Sequence, residues 1–269
     1  MHWVDEGRGD PVVMVHGNPS WSFYYRSLVA ALRDRRRCIV PDHVGMGLSD
    51  KPKDADYLYT LKTRVDDLDA LLDHAGARER VTLVVHDWGG MIGMAWAARH
   101  PERIERLVIL NTMAFRLPPG KPLPRELWWV RRTPLGPLLV RGFNLFLRGA
   151  VRRCTVKALP PEVADRYLEP HRTWADRRAV LRFVQDIPLG PGDPAWPTLE
   201  ATEAALDGFR SVPMLLCWGM KDFVFGGELL EEWIRRFPAA EVHRFEGAGH
   251  WILEDEPDEV AALVKAFVG

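Results

Sequence analysis

Val81-Thr82-Leu83-Val84-Val85-His86-Asp87-Trp88-Gly89-Gly90 is an apolar, β-branched run that ends in a polar pair and two glycines. The helical pattern Met91-Ile92-Gly93-Met94-Ala95-Trp96-Ala97-Ala98 follows at once. The order is strand, sharp turn, helix. Such a turn lifts one side chain above the end of a sheet, and its glycines let helix and strand approach closely. The lifted residue is commonly Ser or Cys; here it is Asp87. A carboxylate is a poor nucleophile for acyl transfer, because attack on an ordinary ester gives a reactive anhydride. It does form a stable ester by displacing a leaving group from a saturated carbon. Asp87 therefore points to alkyl halides, epoxides or strained lactones, and argues against a serine-type esterase.

Outward from this stretch, strand-like and helical patterns alternate. Strands are predicted at Pro11–His16, Arg37–Pro41, Val81–His86, Leu107–Leu110, Met214–Trp218 and Glu241–Phe245. Helices are predicted at Trp21–Leu32, Thr60–His74, Gly90–Arg99, Glu228–Phe237 and Pro257–Val268. This alternation implies a mostly parallel sheet covered by helices on both faces. From Met113 to Arg210 no further strand-like run occurs, and the stretch reads as short helices rich in Pro, Arg and Trp. We expect residues 1–112 and 211–269 to form an α/β core and 113–210 a helical cap. An insertion there sits over the carboxyl ends of the strands, where α/β sheets bind ligands. Only Met1–Asp5 precedes the first buried strand, so the leading hairpin of such sheets is expected to be half present: a sheet one strand short, or a trimmed chain.

The 269-residue chain is 47% apolar and carries a net charge of −1, so nothing global suggests nucleic acid. The three cysteines, Cys38, Cys154 and Cys217, are widely spaced and odd in number. They form neither a disulfide framework nor a zinc pattern, and a reducing compartment, the cytoplasm, is expected. No signal peptide or membrane-spanning run is legible. Most of the 11 tryptophans are expected to serve packing.

Four loops follow strand-like runs: His16-Gly17-Asn18-Pro19, Asp87-Trp88, Cys217-Trp218-Gly219-Met220-Lys221-Asp222, and Glu246-Gly247-Ala248-Gly249-His250-Trp251. In a parallel sheet all four leave the same edge. The chain order Asp87, Asp222, His250 is the nucleophile, acid, histidine order of α/β-hydrolases, so the three can converge. Val44-Gly45-Met46-Gly47 lacks the Lys-Ser/Thr ending of a phosphate loop, and Asp42 before it reads as structural.

The elements HGNP (16–19), HDWGG (86–90), WGMKD (218–222) and GAGH (247–250), in this order, resemble the haloalkane dehalogenase family of α/β-hydrolases along essentially the whole chain. HGNPSWSFYYR (16–26), CIVPDHVGMGLSDKP (38–52), HDWGGMIGMAWAARHPERI (86–104) and RFVQDIPLGPGD (182–193) resemble one branch more closely. That branch is the β-lactone decarboxylases of bacterial long-chain olefin biosynthesis. The resemblance implies Asp87 as nucleophile, His250 as general base and Asp222 as the acid that orients it. The family's alternative acid position follows Leu110, and Asn111 stands there. Asn18 and Trp88 are implied as donors to the leaving group or halide and as the oxyanion hole, with His86 supporting the turn. No metal or organic cofactor is implied.

Decarboxylation of long-chain cis-β-lactones to cis-olefins and carbon dioxide is the preferred expectation, with haloalkane hydrolysis as the alternative. Epoxide hydrolysis is weaker, because Tyr167 is the only tyrosine in the cap and Asn18 replaces the aromatic residue such enzymes resemble there. A binding-only role is disfavoured because every required residue type is present. Residues 121–153 interleave Arg125, Arg131, Arg132, Arg141, Arg148, Arg152 and Arg153 with Trp128, Trp129, Leu138, Leu139, Phe143 and Phe146. Three readings stand: a solvated basic face, a docking surface for other olefin-biosynthesis enzymes, or peripheral contact with anionic lipid. The apolar cap residues are expected to line a tunnel for a small apolar substrate, a long-chain β-lactone or an alkyl halide.

Overall fold

A computed structural model describes residues 1–118 and 124–269. Lys121, Pro122 and Leu123, at the start of the basic stretch, lie outside the described residues. Seven strands form one sheet in the order β1-β3-β2-β4-β5-β6-β7. They are β1 (Trp3–Glu6), β2 (Pro11–Val15), β3 (Arg37–Pro41), β4 (Val81–Asp87), β5 (Ile104–Thr112), β6 (Met214–Gly219) and β7 (Glu241–Phe245). β1 pairs antiparallel with β3 and every other pairing is parallel. All seven residues of β4 are buried, as a central strand covered on both faces requires.

Alternation sorts the apolar residues into two cores. Val13, Val15, Leu83, Val85, Leu107 and Ile109 pack on one face, against α2 (Leu61–His74), α3 (Trp88–Arg99) and α9 (Gly227–Arg236). Val12, Met14, Val84, Val108, Leu110 and Cys217 pack on the other, against α1 (Arg26–Leu32) and the helix Pro257–Val268. Burying one such Leu or Val side chain contributes about 1.5–3 kcal/mol.

Between β5 and β6 the described residues form helices and no strand: α4 (Arg125–Arg132), a π-helical turn (Leu138–Gly142), α5 (Leu145–Arg153), α6 (Pro161–Leu168), α7 (Arg178–Gln185) and α8 (Trp196–Ala205). These make the inserted cap. Arg64 on α2 pairs with Asp186 at the end of α7, 3.2 Å away and buried on both sides, so core and cap share a charge pair. The Arg64 guanidinium lies 3.7 Å from the centre of the Phe183 ring. No helix among the described residues is long and apolar enough to cross a membrane.

Several boundaries differ from expectation. Trp3–Glu6 forms an edge strand. The helix expected at Trp21–Leu32 opens as a 3-10 turn, Ser22–Tyr25, before α1. Asp42 ties this turn to the sheet: its buried carboxylate accepts from Ser22 N at 2.7 Å, and also from Leu48 N at 3.0 Å and His2 Nδ1 at 2.8 Å. The turn after β4 is tighter than the sequence suggests, because β4 runs through Asp87 and α3 begins at Trp88.

Candidate active site

That tightness fixes Asp87. It has φ 52° and ψ −126°, a left-handed conformation that an L-residue adopts only under strain. Packing enforces it. A Cβ on Gly89 would lie 1.9 Å from the Val15 carbonyl oxygen, and one on Gly90 equally close to Thr112 Oγ1. The Thr112 hydroxyl donates to the Asp87 carbonyl and pins the turn to β5. Gly17 leaves room for the carboxylate itself, since a Cβ there would sit 2.0 Å from Asp87 Oδ1.

The strand-end loops then meet. Asn18 N donates to Asp87 Oδ1 at 2.6 Å. His250 Nε2 stands 3.6 Å from Asp87 Oδ2, and His250 Nδ1 bonds Asp222 Oδ2 at 2.8 Å. The other Asp222 oxygen accepts from Val224 N at 2.7 Å and Phe225 N at 3.0 Å, so the acid is held on both sides. His86 Nε2 bonds the His250 carbonyl at 2.8 Å and so ties the His250 loop to the end of β4. Asp87, Asp222 and His250 are all buried.

The electrostatics follow from that burial. Desolvation pushes the Asp87 carboxyl up, opposed by His250 and by the Asn18 and Trp88 N–H groups. Burial pulls the His250 imidazole down, but the charge and hydrogen bond of Asp222, helped by Asp87, outweigh it and hold His250 above its ordinary value. Burial also pushes the Cys154 thiol up, so it offers no competing thiolate.

Above Asp87 lies a cavity of about 400 Å³, within the usual range for ligand pockets. Its floor is Asp87, His250, Asn18 and Trp88. Its walls are almost wholly apolar: Leu127 and Val130 from α4, Leu139 and Val140 from the π-helical turn, Phe146 and Ala150 from α5, and Val184 and Ile187 around the end of α7. Trp88 packs edge-on against Phe183, ring centroids 5.2 Å apart. Asn18 gives one side-chain N–H to the Val180 carbonyl at 3.3 Å, which leaves the other for a ligand. Such a floor can form an ester on a carboxylate and stabilise a departing anion with two donors.

The model of the alpha/beta hydrolase fold family matches residues 10–257. The chain is 56% identical to a cis-3-alkyl-4-alkyloxetan-2-one decarboxylase of Shewanella oneidensis, over 100% of this chain and 85% of that protein. It is 47% identical to a decarboxylase of the same name from Xanthomonas campestris pv. campestris, over 100% and 92%. Among solved structures, the haloalkane dehalogenase DatA from Agrobacterium tumefaciens C58 superimposes with a TM-score of 0.87 at 27% identity, covering 99% of this chain and 91% of that one. The chain belongs to the haloalkane dehalogenase family of α/β-hydrolases. It is an enzyme of that family, with full-length relatives among the β-lactone decarboxylases.

Within this family member, the structure brings together all five residues singled out in the sequence: Asp87, Asp222, His250, Asn18 and Trp88. Sequence reasoning missed the residues that hold them. Asn111 served there only to exclude an alternative acid. In the fold it donates to Asp222 Oδ2 at 3.0 Å and bonds Gly219 through both N–H and carbonyl. Its position at the end of a buried strand was the available signal. Tyr167 is turned away from the cavity: it stacks on Trp251 with centroids 4.3 Å apart and donates to Glu254.

Proposed function

We propose that this enzyme converts cis-β-lactones carrying long alkyl chains into cis-olefins and carbon dioxide, with Asp87, His250 and Asp222 as the catalytic residues. The observation that carries the reading is Asp87 at the floor of an apolar, cap-covered cavity, in a chain so similar to proteins named for decarboxylating 3,4-dialkyl oxetanones. An Asp87 oxygen attacks C4, the saturated ring carbon bonded to the ring oxygen. The C4–O bond breaks and its electron pair goes to the released carboxylate, which the Trp88 indole N–H and the Asn18 amide receive. The bond from C3 to that carboxylate then breaks. Carbon dioxide leaves, the electron pair forms the C3=C4 double bond, and the C4–O bond to Asp87 breaks to restore the free carboxylate. Inversion at C4 followed by loss of the two groups from opposite sides keeps the alkyl chains cis. No water or net proton is consumed, so His250, charged against Asp222, acts by holding Asp87 ionised in its dry site.

The His250–Asp222 pair also has the geometry of a water-activating base. It favours a second reading, in which water hydrolyses an alkyl ester of Asp87 after halide displacement. Epoxide opening is disfavoured, because Tyr167, committed to Glu254, does not line the cavity.

Purified protein is offered a long-chain cis-3,4-dialkyl oxetan-2-one, with olefin read by gas chromatography, and separately 1-bromobutane, with bromide read. Asp87→Ala is the control in both. Olefin from wild type alone is expected. Bromide without olefin would replace the lactone reading by the haloalkane one.

A further inference from the structure

The outer wall of the cavity is built by α4, the π-helical turn and α5, and its outward side is an unusual solvent face. Trp128, Trp129, Leu138, Phe143 and Leu145 are each 46–59% exposed. Arg125, Arg132, Arg148 and Arg152 stand exposed among them, and none has an ion-pair partner among the described residues. Glu126 is the single acid between Pro124 and Lys157, against seven arginines. Helical spacing puts Arg125, Trp128 and Arg132 on one side of α4, and Leu145, Arg148 and Arg152 on one side of α5. Leu127 and Val130, and Phe146 and Ala150, take the inner sides and face the cavity. Trp129 and Leu145 belong to both surfaces: half exposed, they also line the cavity, so its mouth opens inside the aromatic and basic patch.

Exposed large apolar groups in a contiguous patch are costly in water and mark an interaction surface. Tryptophan, phenylalanine and leucine interleaved with exposed arginine match the headgroup boundary of a bilayer carrying negative charge. Apolar side chains enter the acyl edge there and guanidinium groups meet phosphate. We propose that this face docks on an anionic lipid bilayer, and that apolar substrate passes from the membrane into the cavity between Trp129 and Leu145. The route rests on the apolar-substrate reading above; the docking rests only on the surface. It gives the dispersed positive charge an occupant and supplies a water-insoluble chain without crossing solvent.

The test is co-sedimentation of the full chain with vesicles of phosphatidylcholine alone or with 30% phosphatidylglycerol, at low and high salt. Binding to the anionic vesicles, weakened by salt, is expected. Each arginine removed costs about fivefold in partitioning, so Arg148→Ala with Arg152→Ala weakens it roughly 25-fold. Trp128→Ser with Phe143→Ser weakens it as well. All variants keep the wild-type Tm, which separates lost docking from lost folding. A chain that stays in the supernatant with both vesicle types, binds both equally, or is insensitive to these substitutions overturns the proposal. The first outcome would turn the face into a surface for a protein partner. Sedimentation is read without turnover, so failure here leaves the lactone reading standing, and failure to make olefin leaves the docking standing.

Discussion

The carboxylate of Asp87 lies between opposed influences: burial raises its pKa, and His250 with two backbone N–H groups lowers it. The two candidate reactions use these groups differently, and pH separates them. Lactone opening requires ionised Asp87, so the rate is lost as pH falls through a pKa raised above 3.8. Ester hydrolysis after halide displacement requires neutral His250, so that rate is gained only as pH rises through a pKa raised above 6.5. Profiles of kcat against pH are expected to show an acid limb set by Asp87 with the lactone and one set by His250 with the haloalkane. Asn111 acts one step further out, through Asp222. Asn111→Ala removes a hydrogen bond to a charged group, typically about 1.5–3 kcal/mol, and is expected to lower kcat about tenfold to a hundredfold with KM nearly unchanged. A matching rise in KM would show that Asn111 shapes the cavity instead.

At the scale of elements, the site is the junction of β4 and α3, clamped between β2 and β5. Glycine is required at position 89 because α3 passes against the end of β2, where a Cβ would lie 1.9 Å from the Val15 carbonyl. Backbone oxygen cannot yield as a flexible side chain can. Gly89→Ala is expected to destabilise the fold by about 1–3 kcal/mol, the usual cost of overpacking, and to lose activity far beyond that loss by displacing Asp87. Urea unfolding and turnover on the same preparation check both; full activity with lowered stability would show that the elbow tolerates movement. This junction was largely legible in Val81–Gly90, because burial on both faces dictates a continuous apolar strand and close packing dictates glycine. Its turn was read too long, because a single strained residue leaves no compositional trace.

For the whole molecule, the core and cap are joined through charges the sequence did not connect. Arg64 and Asp186 are 122 residues apart and form a buried pair beneath Phe183 and Trp88. Burial raises Asp186 to about 6 even with Arg64 beside it. Arg64→Met takes the buried cation from that carboxylate, which keeps the Leu61 N–H at 2.6 Å, and is expected to cost about 3–5 kcal/mol, whereas Arg64→Met with Asp186→Leu recovers most of it. Urea unfolding of the two variants checks this, and equal losses would mean the pair is net stabilising. His16, His43, His86 and His171 are pulled down by burial, His171 to about 4. Their folded pKa values lie below the unfolded 6.5, so they favour the fold above that pH. Their contribution is lost as pH falls, while raised His250, Asp87 and Asp186 act in the opposite sense. Stability is therefore expected to fall on acidification below about pH 6.5, measured as Tm against pH.

The sequence alone determined the six parallel strands, the inserted helical cap and the five residues that gather at the strand ends: Asp87, Asp222, His250, Asn18 and Trp88. Strand and helix periodicities are local, and the chemical groups sit in loops whose order along the chain is their order along the fold. Only the tertiary structure decided which residues hold those groups: Asn111 on Asp222, Thr112 on the elbow, Arg64 on Asp186, and Tyr167 turned toward Glu254. It also decided that Trp129 and Leu145 line the cavity and face solvent at once. Partners far apart in the chain leave no periodic signal, and a helix pattern gives the spacing of its faces but not what lies against each.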